Sequence, residues 1–200
     1  MALAGNSQGI EQIMQLRNSP GRFGAVHATL HWLVALAVFG LFGLGYYMVD
    51  LTYYDEFYRL GPHIHRSIGI LLFLTVVLRM LWRLLDTTPS VLATHSGFEV
   101  LSARVAHGLL YLLLLTAMVS GYLISTADGS AIRVFDWFEV PSVTGQVKGM
   151  EDVAGDVHYW ATWALVVLAV LHGLAAIKHH LVDRDDTLRR MLPVTLKDRG

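Results

Sequence analysis

Four long apolar stretches follow one another along the chain, separated by shorter polar segments. They cover about 26–48, 63–85, 101–125 and 157–179, and the first contains no Asp, Glu, Lys or Arg. Each holds roughly 23 residues, and about 20 apolar residues are enough to cross the hydrocarbon of a bilayer. The pattern predicts an all-α, integral membrane four-helix bundle that forms one domain over residues 1–200.

Proline positions agree with this division, because Pro62, Pro89 and Pro141 all fall outside the apolar stretches. The longest connection, roughly 126–156, contains the segment IRVFDWFEV at 132–140. This segment is expected either to lie flat at the membrane surface or to form a plain exposed loop.

Basic residues are distributed unevenly between the two ends of the expected helices. Eleven of the fifteen Lys and Arg lie near the N-terminus, the 86–100 loop or the C-terminus. The other four lie toward the opposite end: Arg59, Arg66, Arg133 and Lys148. Because cytoplasmic segments carry an excess of basic residues, both termini, with the tails 1–25 and 180–200, are expected to be cytoplasmic.

Composition narrows the function classes that the chain can have. Hydrophobic residues make up 54% and charged residues 16%, which is too apolar for an ordinary soluble domain. The net charge of −1 suggests no nucleic-acid partner. The absence of cysteine excludes disulfides, thiolate metal sites, iron–sulfur clusters and c-type haem attachment. Ten histidines therefore leave imidazole as the obvious ligand for a metal or haem.

Two histidines of the fourth stretch, His158 and His172, are separated by 14 residues. Positions 14 apart lie within about 40° of the same helix face and about 21 Å apart along the axis. His31 in the first stretch matches the depth of His172, and His65 in the second matches the depth of His158. The spacing predicts two stacked imidazole pairs, an arrangement that can hold two haem groups inside a bundle. A histidine-lined metal transporter without haem is the alternative.

Other residues fit the same arrangement. Gly45 follows His31 by 14 residues, so it should lie at the level of the outer pair, His65 with His158. Because it has no side chain, it should leave space there. Arg79 and Arg83 follow His65 by 14 and 18 residues, so they should lie on the same helix face as His65. Their depth is that of the inner pair, which consists of His31 and His172. They are candidates for pairing with haem propionates. Their alternative role is that of basic anchors at the membrane surface.

The remaining histidines have competing interpretations. His63 competes with His65, and His27, expected at the membrane interface, competes with His31. His107 lacks a partner at matched depth and is expected to pack or to support a ligand.

Further polar residues lie near the helix ends. His95 is expected to be solvated in a loop. His179, with Lys178 and His180, is a candidate quinone or proton site, and an ordinary interfacial histidine is its alternative. Thr162, one turn after His158, is a candidate hydrogen-bond partner for a ligand.

Five segments between about residues 20 and 192 contain most of these histidines within recognisable sequence motifs. They are HATLHWLVAL at 27–36, HRSIGILL at 65–72, AHGLLYLLL at 106–114, VHYWATW at 157–163 and LHGLAAIKHHLVDRDDTLRRML at 171–192. Together they resemble the bacterial cytochrome b561 family of di-haem inner-membrane proteins. STADGSAIRVFDWFEVP at 125–141 resembles one branch, often encoded beside a periplasmic polyisoprenoid-binding protein.

The resemblance implies two haem b groups, ligated by His31 with His172 and by His65 with His158, and so favours His65 over His63. It also implies a multi-pass protein of the bacterial inner membrane, in contact with membrane lipid, that exchanges electrons between the periplasmic face and the quinone pool. A periplasmic redox protein is one expected partner.

A relative in this family oxidises superoxide and reduces ubiquinone, so superoxide oxidase activity is an alternative function. The 126–156 loop holds six acidic and two basic residues, a charge of −4 that would repel superoxide.

Overall fold

The computed structural model describes residues 16–192, and four long helices run through them. The helices are α1 (Ala25–Met48), α2 (Phe57–Leu85), α3 (Gly97–Thr126) and α4 (Met150–Leu181). All four are long and apolar enough to cross a membrane. The predicted all-α integral membrane bundle is therefore confirmed. The outer parts of the two expected tails, 1–15 and 193–200, lie outside the described residues.

The helices extend beyond the apolar stretches that predict them. α2 begins at Phe57 and contains Pro62, which was expected to precede the helix, and α4 begins at Met150 rather than near 157. Hydropathy marks only the part of a helix that lies in hydrocarbon, and helices continue into the interface where polar groups meet water. Pro62 is the sixth residue of α2, so the helix lacks the one backbone hydrogen bond that this position would donate to the oxygen of Tyr58.

The start of α3 is fixed by a reciprocal cap. The backbone N–H of Glu99 donates to Ser96 Oγ at 3.3 Å, and the backbone N–H of Ser96 donates to Glu99 Oε2 at 2.9 Å. Two backbone donors that the helix leaves free are thereby satisfied. This cap sets where the third helix starts after the 86–96 connection.

Packing within the bundle is strongest between α1 and α2 and between α3 and α4, so two helical hairpins face each other. A small apolar core joins them, made of Val34, Leu72, Val76, Leu114 and Leu165. Most other large apolar side chains are exposed on the outside, as expected of a surface that meets lipid. The core lies at mid-depth, since Leu165 is seven residues from both His158 and His172.

The connection between α3 and α4 contains a β-hairpin, which the sequence interpretation missed. β1 (Ile132–Val134) pairs antiparallel with β2 (Phe138–Val140). The turn places Phe135 and Asp136 at positive φ, 46° and 59°, the backbone of a type I′ turn. Such turns usually carry Asn-Gly or Asp-Gly, so Phe-Asp gives little signal in the sequence.

β1 seats the hairpin on the bundle, because Ile132 and Val134 are buried. Phe135 donates its backbone N–H to Ser67 Oγ of α2 at 3.1 Å, and Ser67 is fully buried. The segment thus covers the end of α2, two residues from His65.

Candidate functional site

His65 of α2 and His158 of α4 face each other beneath the hairpin. Their ring centres are 6.3 Å apart and their planes are inclined by 71°. A glycine lies against each ring: a Cβ at Gly45 would lie 3.2 Å from His65 Cε1, and one at Gly121 would lie 3.0 Å from His158 Cε1. Gly45 was expected at this level, whereas Gly121 was not singled out. A side chain at either position would force the adjacent ring to shift by a few tenths of an ångström, so glycine gives α1 and α3 their close approach to the two rings.

The His158 ring is oriented by α3. Its Nδ1 atom lies 2.8 Å from the backbone oxygen of Ala117 and 3.2 Å from Ser120 Oγ. A carbonyl oxygen only accepts, so Nδ1 carries the proton and Nε2 keeps its lone pair. Thr162, the expected partner, instead donates to the Tyr159 oxygen of its own helix. The actual partner of His158 is a backbone carbonyl. Because every residue has one, the sequence alone could not identify it.

His65 presents the opposite situation. Its Nδ1 atom is buried without a hydrogen-bond partner among the described residues. Buried polar atoms in native proteins nearly always have partners, so an orphaned one requires an explanation such as an absent ligand or water.

A cavity of about 1610 Å³ lies beside this pair. It is lined by all four helices and the hairpin, with mostly apolar side chains around His65 and His158. Pockets for small organic ligands usually measure about 300–1,000 Å³, so the space exceeds what one such molecule needs. Gly69, one turn after His65, also lines it.

The second predicted pair, His31 of α1 and His172 of α4, has ring centres 6.4 Å apart and planes inclined by 77°. Arg79 Nη1 donates to His31 Nδ1 at 2.9 Å. His107 of α3 lies 5.1 Å from His172, centre to centre. The expectation that His107 has no partner at its depth is therefore wrong: it lies six residues inside the 101–125 stretch and His172 lies seven residues inside the 157–179 stretch, so their depths match.

Arg79 and Arg83 converge on one aromatic ring. Their guanidinium carbons lie 5.9 and 5.8 Å from the ring centre of Tyr111. Arg79 Nε, the Tyr111 hydroxyl and Trp82 Nε1 are buried without hydrogen-bond partners among the described residues. The inner level therefore combines two positive charges with unsatisfied donors, a combination suited to an anionic group.

His27 and His63 stand apart from the two pairs. His27 is buried, with 5% of its surface exposed, and stacks on Phe23 with ring centres 4.6 Å apart. The segment before α1 therefore folds over His27, which lies in the first turn of that helix. His63 lies 6.1 Å from the Phe135 ring of the hairpin.

His179 lies with His95 near the end of α4, where their ring centres are 4.8 Å apart. Both approach the carboxylate of Asp185, and only 18% of the His95 side chain is exposed. The expectation of a solvated His95 is therefore wrong. The loop before α3 folds against the segment after α4, a long-range contact that local sequence does not reveal.

Comparison with known proteins places these residues in a family context. A model of the prokaryotic cytochrome b561 family matches residues 22–194. Cytochrome b561 homolog 2 of Escherichia coli is 48% identical over 187 residues, which cover 94% of this chain and 100% of the relative.

Two more distant relatives also match most of the chain. The probable superoxide oxidase of Yersinia pestis is 28% identical, over 90% of this chain and 98% of its own length. Cytochrome b561 homolog 1 of Escherichia coli is 24% identical, over 86% of this chain and 97% of its own length.

Proposed function

Because the chain belongs to the prokaryotic cytochrome b561 family, we propose that it binds two haem b groups and exchanges electrons between the periplasmic face and the quinone pool. Membership itself makes the protein a multi-pass inner-membrane protein of electron transfer and implies haem b. It also favours haem over the histidine-lined metal transporter. We propose further that there are two haems, that the two histidine pairs bind them, and that quinone is the redox partner.

The ring spacing of the outer pair supports haem between His65 and His158. A metal–nitrogen bond of about 2 Å on each side of one metal puts the centres of two imidazoles roughly 6 Å apart. The ring centres of His65 and His158, 6.3 Å apart, match this spacing. The large cavity and the two glycines leave room beside the rings. His158 presents Nε2 with a free lone pair, and the orphaned His65 Nδ1 is consistent with a site completed by another group.

The inner pair has the same spacing, 6.4 Å, but a different polar environment. When Arg79 donates to His31 Nδ1, the proton of the neutral ring must sit on Nε2. Arg79 has to release His31 before that Nε2 can bind iron. We expect Arg79, with Arg83 beside it, then to pair with a propionate.

Haem held by two histidines would supply one-electron transfer and would leave no position on the iron for oxygen to bind. The chain contributes the apolar core between the two levels, which excludes water from the path. Leu165 lies halfway between His158 and His172, about 10 Å from each along α4. A proton is needed only where quinone reacts, and His179 remains a candidate for that site.

The outer surface favours a protein partner as electron donor. Arg133, one of the two basic residues of the 126–156 loop, lies 3.4 Å from Glu139 and 3.7 Å from Asp136. Its charge is therefore largely offset, and the surface stays acidic. A periplasmic redox protein with a basic face would be attracted, whereas superoxide would be repelled.

Superoxide oxidation is a second candidate because the Yersinia pestis relative carries that name as a probable activity. The purified protein should be tested for ubiquinone reduction driven by a superoxide generator. A rate above that of the protein-free control would favour this activity over a partner protein.

The haem proposal is tested by a dithionite-reduced spectrum and a pyridine haemochrome assay on the purified protein. Two haem b per chain are expected. One haem per chain would refute the paired arrangement, and a spectrum without a b-type α band would refute haem binding altogether.

A further inference from the structure

We propose that His95, His179 and Asp185 form a binding site for one divalent transition-metal ion, of which zinc is the model. The three residues lie at the end of the bundle opposite the hairpin, outside both histidine pairs. They come from three separate segments: the loop before α3, the last turn of α4 and the turn that follows it.

The distances between the donor atoms match those of a metal site. Asp185 Oδ2 lies 3.0 Å from His95 Nε2 and 3.4 Å from His179 Nδ1. All three atoms lie within 4.8 Å of one another. Ligands about 2.0–2.1 Å from a tetrahedral metal are roughly 3.3 Å apart, so a single ion can reach all three after small adjustments.

The donor types also suit such an ion. Two imidazole nitrogens with one carboxylate oxygen form a set used by catalytic zinc sites, and imidazole equally suits copper, iron and nickel. Asp183 Oδ2 also lies 2.7 Å from His179 Nδ1, so an ion that binds Nδ1 displaces the proton shared with Asp183. Lys178 Nζ, 2.6 Å from the same oxygen, keeps the Asp183 carboxylate paired when that proton leaves. Water is therefore the expected fourth ligand.

The backbone after α4 holds the carboxylate in place. Arg184 adopts a positive φ of 55°, which turns the chain back toward the helix end. The backbone N–H of Asp185 then donates to the His179 oxygen at 3.1 Å, and Asp185 Oδ1 accepts from the backbone N–H of Thr187 at 2.8 Å. These bonds aim Oδ2 at the imidazoles.

Partial burial gives the site both protection and access. The side chains of His95, His179 and Asp185 are 18%, 15% and 4% exposed. His179 follows His172 by seven residues, about 10 Å along α4, so an ion here is separate from the proposed inner haem. Binding would tie three segments together and reduce the freedom of the turn after α4.

The test uses the detergent-purified, haem-loaded protein with its affinity tag removed and with bound metal stripped by a chelator. Zn²⁺ is titrated calorimetrically, and bound zinc is counted by mass spectrometry. One saturable equivalent per chain is expected. His95→Gln and Asp185→Asn should each lose it, with at least about tenfold weaker binding, while the haem α band stays unchanged.

Matched controls are His63→Gln, which alters a histidine beside the hairpin, and Asp186→Asn, which alters the exposed neighbour of Asp185. Both should keep the equivalent. The proposal is overturned if no saturable equivalent exists, if His95→Gln retains it, or if the controls lose it equally. Should Asp185→Asn lose its haem spectrum through misfolding, His95→Gln decides. The haem count is measured separately, so failure here leaves the electron-transfer proposal standing.

Discussion

His158 donates its Nδ1 proton to the backbone oxygen of Ala117 at 2.8 Å, across the contact between α4 and α3. This bond fixes both the ring orientation and the tautomer, which leaves Nε2 ready to bind a metal. The corresponding nitrogen of His31 accepts a hydrogen bond from Arg79. For the proposed haem sites this means that His158 can bind iron as it stands, whereas His31 must first be released by Arg79.

Replacing His158 by Ala should remove one haem and leave one per chain, because one of the two histidines proposed to hold the outer haem is lost. Replacing His172 should remove the other haem. Pyridine haemochrome assays with protein quantification measure the ratio. His63→Ala is the control and should retain two. Full haem content in both the His158 and His172 variants would contradict the assigned pairs.

Gly121→Ala should disturb the outer haem selectively. The new Cβ would lie 3.0 Å from His158 Cε1, closer than packed atoms tolerate, so the ring must shift. Overpacking of this kind typically costs about 1–3 kcal/mol. We expect reduced content of one haem or an altered electron paramagnetic resonance signal for it. Gly43→Ala, where nothing lies within 4 Å of the new atom, is the matched control. Equal effects of the two substitutions would argue against a specific contact.

Arg79→Gln should lower the midpoint potential of one haem. A positive charge near haem favours the reduced iron, which carries one positive charge less than the oxidised form. Its removal is expected to shift the potential by on the order of 60 mV, a tenfold change for one electron. Redox titration followed at the α band measures this shift.

The control for Arg79 is Arg104→Gln, since Arg104 is an exposed basic residue of α3 near the same end of the bundle. It should leave both potentials nearly unchanged. A shift of both haems by equal amounts in Arg79→Gln would contradict its placement beside the inner pair.

Acidic pH should loosen the start of the 126–156 connection. Hydrogen bonds from Ser130 hold the pKa of Asp128 below its ordinary value. A lowered pKa in the folded protein contributes stability above the unfolded value of about 3.9, and this contribution disappears as pH falls through the folded pKa.

Hydrogen exchange at the Ser130 amide measures the effect, since this N–H donates to Asp128 Oδ1 at 2.9 Å. Asp128→Ala should show less protection than the unmodified protein at neutral pH and the same protection at acid pH. Asp136→Ala, an exposed carboxylate of the hairpin turn, should match the unmodified protein throughout. A difference that persists at acid pH would contradict the assignment.

Periodicity and hydropathy were sufficient for the features that repeat along one helix. The four helices, the common face of His158 and His172, and the approach of Gly45 to the outer pair all depend on the rise and twist of a helix. These quantities are constant, so sequence numbers convert directly into positions.

Features that depend on contacts between distant segments could not be predicted in the same way. His95 meets Asp185 because two loops fold together. The hairpin forms although Phe135 and Asp136 give a weak turn signal. Each case depends on tertiary packing that one local pattern does not contain.

The division of the bundle into two hairpins has a consequence for its biogenesis. Each proposed haem joins a helix of one hairpin to a helix of the other: α1 to α4 at the inner level and α2 to α4 at the outer level. The α1–α2 and α3–α4 hairpins can therefore insert and pair internally as the chain leaves the ribosome. Because the apolar core already joins the two hairpins, we expect the proposed haems to strengthen the seam between them.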